Sequence, residues 1–381
     1  MIAAEGVFLI LSMFHKPSLI LALAGFIILM RPSAQAILIA DGFTYGGTNG
    51  FEASRALATD YVNFPMFEGV GVVSISEDNA DYTATGTLLN NQWVLTAAHD
   101  WTSGVNSIAF LIGGTTYAAD MTSLRQHPLW SDSERPSPSQ GWDIALFRLA
   151  TPVTNTMIFP QLYTKSDEMG KVAIILGVGD IGTGSVPSSG QTNNPPLVHA
   201  AMNIVDRTTS QTNLGYSGGL LMVDFDSGTN AAQNTLGNSY HPGGDPWAWA
   251  GTNTITTLNP PGAIAGSDSS NNPLVLNGDI LEGSMVFGDS GGSVFIEDEG
   301  IWKLAGVNSS GGNPWDALVN TNGSRGLYGN LGSHTRISQH TDWIESVIPE
   351  PGTGALLIMG LGLALILCSE ARRRVMRKWN P

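Results

Sequence analysis

Short apolar stretches, broken by glycines and polar turns, dominate the middle of the chain. Gly69 to Ile75 is apolar and β-branched, Glu77-Asp78-Asn79 reads as a turn, Thr83 to Leu89 returns, and Gln92 to Thr96 follows after Asn90-Asn91. That spacing predicts a strand–turn–strand unit. Further runs of strand length are Ile108 to Ile112, Ile144 to Leu149, Val172 to Leu176, Met202 to Val205, Leu220 to Phe225, Ser293 to Ile296 and Trp302 to Val307. Many short strands joined by Gly-rich turns predict an all-β sandwich or barrel. Near the end, only Gln339 to Val347 reads as helical, with Trp343, Ile344 and Val347 on one face and Pro349 as its stop. Residues 180–275 are crowded with Asn, Gly, Ser, Thr and Pro. They predict long polar loops on the strand framework, not a separate domain.

The two longest apolar runs sit at the ends. Residues 1–36 read as a secretory signal peptide: Lys16 supplies the positive region, Leu19 to Met30 the apolar run, and Ala34-Gln35-Ala36 the cleavage site. Cleavage by signal peptidase after Ala36 would leave Ile37 first. Residues 349–381 open with Pro349-Glu350-Pro351, continue through an apolar run from Ala355 to Cys368, and end in Arg372-Arg373-Arg374. The run is short for a spanning helix, but with its flanking glycines it could cross a thin bilayer as a membrane helix, and the arginines would hold its end in the cytoplasm. This order resembles the PEP-CTERM sorting signal of Gram-negative bacteria. The resemblance implies transient membrane association, processing by an exosortase, and a body that is secreted or held at the cell surface of the envelope.

Composition adds two constraints. Hydrophobic residues make up 42% of the 381 and charged residues only 13%, so a sizeable core can form and polarity comes from Gly, Ser, Thr and Asn. Net charge is −15, although 7 of the 17 basic residues lie outside residues 37–348. A body this acidic repels nucleic acid. Cys368 is the sole cysteine, so no disulfide forms within the chain.

Three motifs carry the chemistry. Thr96-Ala97-Ala98-His99 follows a strand, Asp143-Ile144-Ala145-Leu146 opens another, and Gly288-Asp289-Ser290-Gly291-Gly292 precedes a third. A serine hydroxyl needs a general base to become a nucleophile at neutral pH. An imidazole suits that task, and a buried carboxylate fixes its tautomer. Glycines beside the serine let the backbone turn so that two N–H groups, expected to be those of Gly288 and Ser290, face a developing oxyanion. Each motif alone is weak. Their order, His then Asp then Ser, excludes the other common serine hydrolase arrangements. No histidine spacing suits a metal, and no phosphate loop or dinucleotide fingerprint appears, so no cofactor is expected.

With these residues the sequence resembles the trypsin/chymotrypsin family of serine proteases. The match includes Gly86 to Leu89, Gln92 to His99, Gln126-His127-Pro128, Gly177-Val178-Gly179, Leu304 to Val307, and His334 to Ile337 followed by Trp343-Ile344. The resemblance implies two six-stranded antiparallel β-barrels over residues 37–348, a short C-terminal helix, and a catalytic triad of His99, Asp143 and Ser290 in the cleft. It implies a protein or peptide substrate, with Ser284 at the floor of the primary pocket, Ser309 and Gly311 along the peptide-binding edge, and Gly332 as another wall. Serine at 284, with Met285 beside it, favours an apolar or aromatic residue before the cut, while Glu282 keeps basic specificity open. The chain departs from the family at Asp100, where a cysteine is common, and at Ser293, where proline is usual. The family's activation sequence is absent. Its new N-terminus pairs with the aspartate before the serine, here Asp289; Ile37 is a candidate, although farther from His99 than the family pattern. A different class of function is a protease-like surface or biofilm-matrix binding protein, whose long loops would do the work.

Overall fold

The computed structural model describes residues 37–78, 80–132, 140–185, 196–225, 254–255, 274–312, 328 and 330–348. Six strands form a closed barrel: β1 (Val70–Glu77), β2 (Asp81–Leu88), β3 (Trp93–Thr96), β4 (Val105–Ile112), β5 (Thr115–Gln126) and β6 (Ala145–Leu149). They are joined in the order β1-β2-β3-β6-β5-β4, and every pairing is antiparallel. Closure leaves no unpaired strand edge. Inward alternation packs Val73, Ile75, Leu88, Val94, Phe110, Phe147 and Leu149 into the barrel interior. Each such side chain contributes roughly 1.5–3 kcal/mol by burial.

The second half is a sheet running β8-β7-β11-β12-β13-β10-β9, where β7 is Val172–Gly177, β8 His199–Ile204, β9 Arg207–Asn213, β10 Leu220–Asp224, β11 Ser293–Asp298, β12 Ile301–Gly312 and β13 Leu331–Arg336. A second closed six-stranded barrel was expected; the hydrogen-bond ladder here is open. The reason lies between β8 and β9, which are consecutive in the chain. Val205 N donates to Lys171 O at 3.0 Å, whereas Asp206 N donates to Met222 O at 3.0 Å. Adjacent residues therefore switch from the β7 side to the β10 side. The chain bends at the switch, so the sheet wraps round as a half-barrel without one continuous strand to seal it. Asn203 fills part of the gap: its side-chain nitrogen lies 2.7 Å from Asp224 O and 2.8 Å from Gly283 O. Ile174, Leu176, Met202, Val223, Phe295, Leu304 and Val307 belong to the core on this side.

Two α-helices among the described residues border the sheets. α1 (Gly50–Ala58) turns Ala53, Ser54, Leu57 and Ala58 inward. Its Ser54 hydroxyl, fully buried, donates to Ala200 O at 2.7 Å. α2 (Thr341–Val347) follows a 3₁₀ turn over Ile337–Gln339 and buries Trp343 and Ile344, close to the helix expected from the sequence. No helix among the described residues is long and apolar enough to cross a membrane. The signal peptide and C-terminal membrane helix were expected at 1–36 and 349–381, which lie outside the described residues, as does most of 226–273.

Candidate active site

His99 leaves the end of β3, and Asp143 stands just before β6, the strand paired with β3. Pairing of neighbouring strands thus brings together two residues 44 apart. Asp143 is fully buried and holds the histidine twice: Oδ1 accepts from His99 N at 2.8 Å, and Oδ2 lies 2.7 Å from His99 Nδ1. Ser309 Oγ, on β12, also donates to Asp143 Oδ2. Thr335 Oγ1, on β13, donates to the Asp143 backbone carbonyl at 2.8 Å. With its oxygens taken up, the carboxylate stays where the imidazole needs it.

Ser290 comes from the other sheet, on the turn before β11. Its Oγ lies 2.7 Å from His99 Nε2, and its carbonyl accepts from Thr85 N on β2 at 2.7 Å. The Ser290 turn is therefore tied to the first barrel by backbone as well as by imidazole. Gly288 has φ +91° and Gly291 φ +76°, conformations that favour glycine. A Cβ at Gly291 would lie 2.0 Å from Thr96 Oγ1, so this position also tolerates no side chain. Around the turn, Asp289 N donates to Val286 O, Gly291 N to Asn308 O and Gly292 N to Asp289 O, at 3.1, 2.8 and 2.9 Å. The N–H groups of Gly288 and Ser290 make no such bond among the described residues. This leaves two donors beside the hydroxyl, the arrangement an oxyanion hole requires.

Behind the serine, Asp289 points inward and is fully buried. Its carboxylate accepts from Val286 N and Gly179 N, each at 2.8 Å, and from Ile37 N at 3.2 Å. Burial outweighs these bonds and pushes its pKa up to about 7. Ile37 reaches it because the next two residues, Leu38–Ile39, form a short strand between Gly182–Thr183 and Gly283–Ser284. Ile37 is itself fully buried at φ +53°, a strained conformation for a β-branched residue.

Of the residues expected to bind substrate, Ser284 lies on a short strand paired with Leu38–Ile39. Gly311 pairs with Gly332 across β12 and β13, and Ser309 lies two residues before Gly311. Ser284 Oγ lies 2.8 Å from where a Cβ of Gly332 would sit, and His334 Nε2 lies 3.3 Å from it. Both polar atoms are buried without a hydrogen bond among the described residues. Burial pushes the His334 pKa down to about 3, so the ring is neutral. Its Nδ1 faces Asn308 Oδ1 at 2.9 Å, while Asn308 Nδ2 donates to Leu176 O at 3.0 Å. Nδ1 therefore carries the proton, and Nε2 is left as an acceptor. Glu282, considered above for basic side chains, is bound elsewhere: its carboxylate accepts from Asn203 Nδ2 at 2.8 Å and Leu274 N at 3.0 Å. His334 was legible only as a strand residue, and its polar edge beside Ser284 appears only in the fold. No group of three or more His, Cys, Asp or Glu side chains suited to a metal occurs among the described residues.

Residues 67–239 match the trypsin family, a span that includes His99 and Asp143 but ends before Ser290. The chain is 36% identical over 81 residues to chymotrypsin-like elastase family member 1 of Canis lupus familiaris, covering 19% of this chain and 30% of that protein. It is 31% identical over 132 residues to the thrombin-like enzyme elegaxobin-1 of Protobothrops elegans, covering 33% of this chain and 53% of that protein. The chain thus spans about half the length, or less, of these curated relatives. Among solved structures, mouse neuropsin aligns over 73% of this chain and 94% of its own, at 17% identity and a TM-score of 0.42. The closed barrel and the all-β second sheet accompany a stretch, residues 67–239, that is similar to the trypsin family.

Proposed function

We propose that residues 37–348 form an exported serine endopeptidase that cuts peptide bonds through an acyl-enzyme on Ser290. The observation that carries this is the continuous chain of contacts Asp143–His99–Ser290, at 2.7 Å on each side of the imidazole. His99 Nε2 takes the Ser290 proton as Oγ attacks the carbonyl carbon, and then returns that proton to the leaving amine. Asp143 stabilises the imidazolium formed between these steps. The N–H groups of Gly288 and Ser290 receive the oxyanion. Water then repeats the sequence and releases the acyl group.

Ile37 completes the proposal. In the uncut chain its nitrogen is an amide. Cleavage after Ala36 turns it into an ammonium beside a buried carboxylate whose pKa burial otherwise raises to about 7. Removal of the leader is then the activating step, and it ties activity to export. Processing at Pro349-Glu350-Pro351 by an exosortase follows the same reading of the chain ends.

For the primary pocket we propose aromatic side chains, tyrosine ahead of phenylalanine. Met285 and Val223 supply apolar walls near Gly311 and Gly332. A tyrosine hydroxyl would donate to His334 Nε2 and accept from Ser284 Oγ. Incubation of the protein starting at Ile37 with casein and a fluorophosphonate tests the whole. Hydrolysis with labelling is expected. Absence of both would turn the reading toward a binding protein, and labelling without hydrolysis toward a non-peptide ester.

A further inference from the structure

One neighbour of His99 has no part in the scheme so far. Asp100 directly follows the histidine, and its Oδ1 lies 3.4 Å from His99 Nε2. Nε2 is the nitrogen that faces Ser290, not the one held by Asp143. The imidazole therefore stands between two carboxylates, one near each ring nitrogen. Neither is a freely moving surface group: Asp143 is fully buried and Asp100 is only 7% exposed. The Asp100 backbone is also held, since its carbonyl accepts from the Tyr82 hydroxyl. Tyr82 contacts the Glu77 carboxylate as well, so β1 and β2 together fix the place from which Asp100 reaches His99.

We infer that Asp100 is a charge-tuning and positioning residue for His99, a second carboxylate that favours the imidazolium from the Ser290 side. The inference rests on the reading of His99, Asp143 and Ser290 as the catalytic set. In the resting state the neutral imidazole carries its proton on Nδ1, toward Asp143, and offers a lone pair on Nε2 to the Ser290 hydroxyl. The Asp100 charge then faces a lone pair and gains nothing. During attack the Oγ–H bond breaks, the N–H bond at Nε2 forms, and Oγ bonds to the carbonyl carbon. The same carboxylate now faces N–H⁺. An opposite charge within about 4–6 Å shifts a titration by roughly 1–3 pH units toward the charged form.

Among the described residues, the carboxylates in ion-pair reach of the ring are Asp143, from the segment before β6, and Asp100, from the segment after β3. Ser290 and Ser309, from the second sheet, are neutral. Glu77, on β1, reaches Tyr82 and Thr102 rather than the ring. Two effects follow from Asp100. The imidazolium of the transition state is stabilised. The free enzyme also keeps His99 protonated, and inactive, to a higher pH than Asp143 alone would cause.

The test is the pH profile of kcat/KM for the protein starting at Ile37, on a chromogenic peptide, for the wild type, Asp100→Asn and Asp100→Ser. Asn preserves shape without charge, and Ser provides a second, smaller replacement should Asn disturb folding. In either variant the acidic limb should move down by about 1 pH unit or more. One unit below the wild-type limb, the variant should then retain several-fold more of its own plateau activity than the wild type does. Plateau kcat should fall several-fold with KM little changed, and Asp100→Glu should move the limb back toward the wild type. A merely structural role would lower the melting temperature and leave the limb in place. A folded variant with an unmoved or raised limb overturns the inference while leaving the catalytic reading intact. A wild type that neither hydrolyses peptide nor reacts with a fluorophosphonate overturns both.

Discussion

Retaining a single residue before Ile37 should nearly silence the enzyme. The magnitude follows from Asp289. In the uncut chain its pKa is raised by burial from 3.8 to about 7. That is about three pH units, or ~4 kcal/mol against the ionised form. The sign follows from proton counts. Between about pH 4 and 7 the folded state holds a proton that the unfolded state has released, so this penalty grows as pH rises through that window. An ammonium on Ile37, in place of the amide now 3.2 Å away, reverses the effect by pairing with the carboxylate. That stabilisation is complete below the ordinary amine pKa of about 8 and is lost as pH rises through the raised amine pKa of the folded protein. The cut also frees Ile37 from its left-handed φ of +53°, which costs about 1–3 kcal/mol. Since Asp289 anchors the turn that shapes Gly288 and Ser290, most of this energy is expressed in the active site. Two proteins should be compared, one starting at Ile37 and one retaining Ala36, by kcat/KM on a peptide from pH 6 to 10. The Ala36 form should be slower by about 10²- to 10³-fold near pH 7.5, a conversion of ~3–4 kcal/mol, and should lack the alkaline limb set by the amine. Rates within about twofold, with the same alkaline limb, would refute the reasoning.

Other outcomes are expected. Ser309→Ala removes a donor to the buried Asp143 carboxylate; kcat should fall about 10- to 100-fold with KM nearly constant, at ~1–3 kcal/mol for the lost partner. In a peptide library, tyrosine before the cut should exceed phenylalanine in kcat/KM, and Ser284→Ala combined with His334→Leu should erase the difference; dominant cleavage after Arg or Lys would contradict the pocket as described. Burial pushes the pKa of His127 down to about 3 and of His340 to about 4, so both stay neutral while unfolded histidines protonate. Stability should therefore decline as pH falls from about 6.5 through these values, visible as a falling melting temperature, and His127→Phe should blunt the decline. Arg336→Met leaves Glu168 buried without its bidentate partner at 2.6 and 2.8 Å and should cost roughly 3–5 kcal/mol in chemical denaturation.

The strands most legible in the sequence are those buried on both faces. Val172–Gly177 and Leu220–Asp224 read as apolar runs and fold as core strands. Thr115–Gln126 was not read as a strand, because most of its side chains are exposed or half-buried and it carries Thr, Asp and Ser where alternation would show. It forms because β4 and β6 on either side give its backbone partners. α1 was also missed; Glu52, Ala53, Arg55, Ala56, Leu57 and Ala58 are helix formers, but the segment is too short to show a clear period. The open ladder of the second sheet had no sequence signal, since it depends on one switch of partners between Val205 and Asp206. At the site, His99, Asp143 and Ser290 were legible from motif order, because the chemistry restricts residue type so tightly. Asp100 looked like a simple replacement until its carboxylate was placed 3.4 Å from Nε2. His334 and Ser284 come near Gly332 from separate strands, one in β13 and the other paired with Leu38.

The central claim is that Ser290 is a nucleophile activated by His99. Its most direct test is peptide mapping by mass spectrometry after brief reaction of the protein starting at Ile37 with a fluorophosphonate. The account predicts one adduct per chain, on Ser290, formed at the rate at which casein hydrolysis is lost and absent from His99→Ala. An unmodified Ser290 in protein that still hydrolyses casein, or equal labelling of the His99→Ala variant, would contradict it.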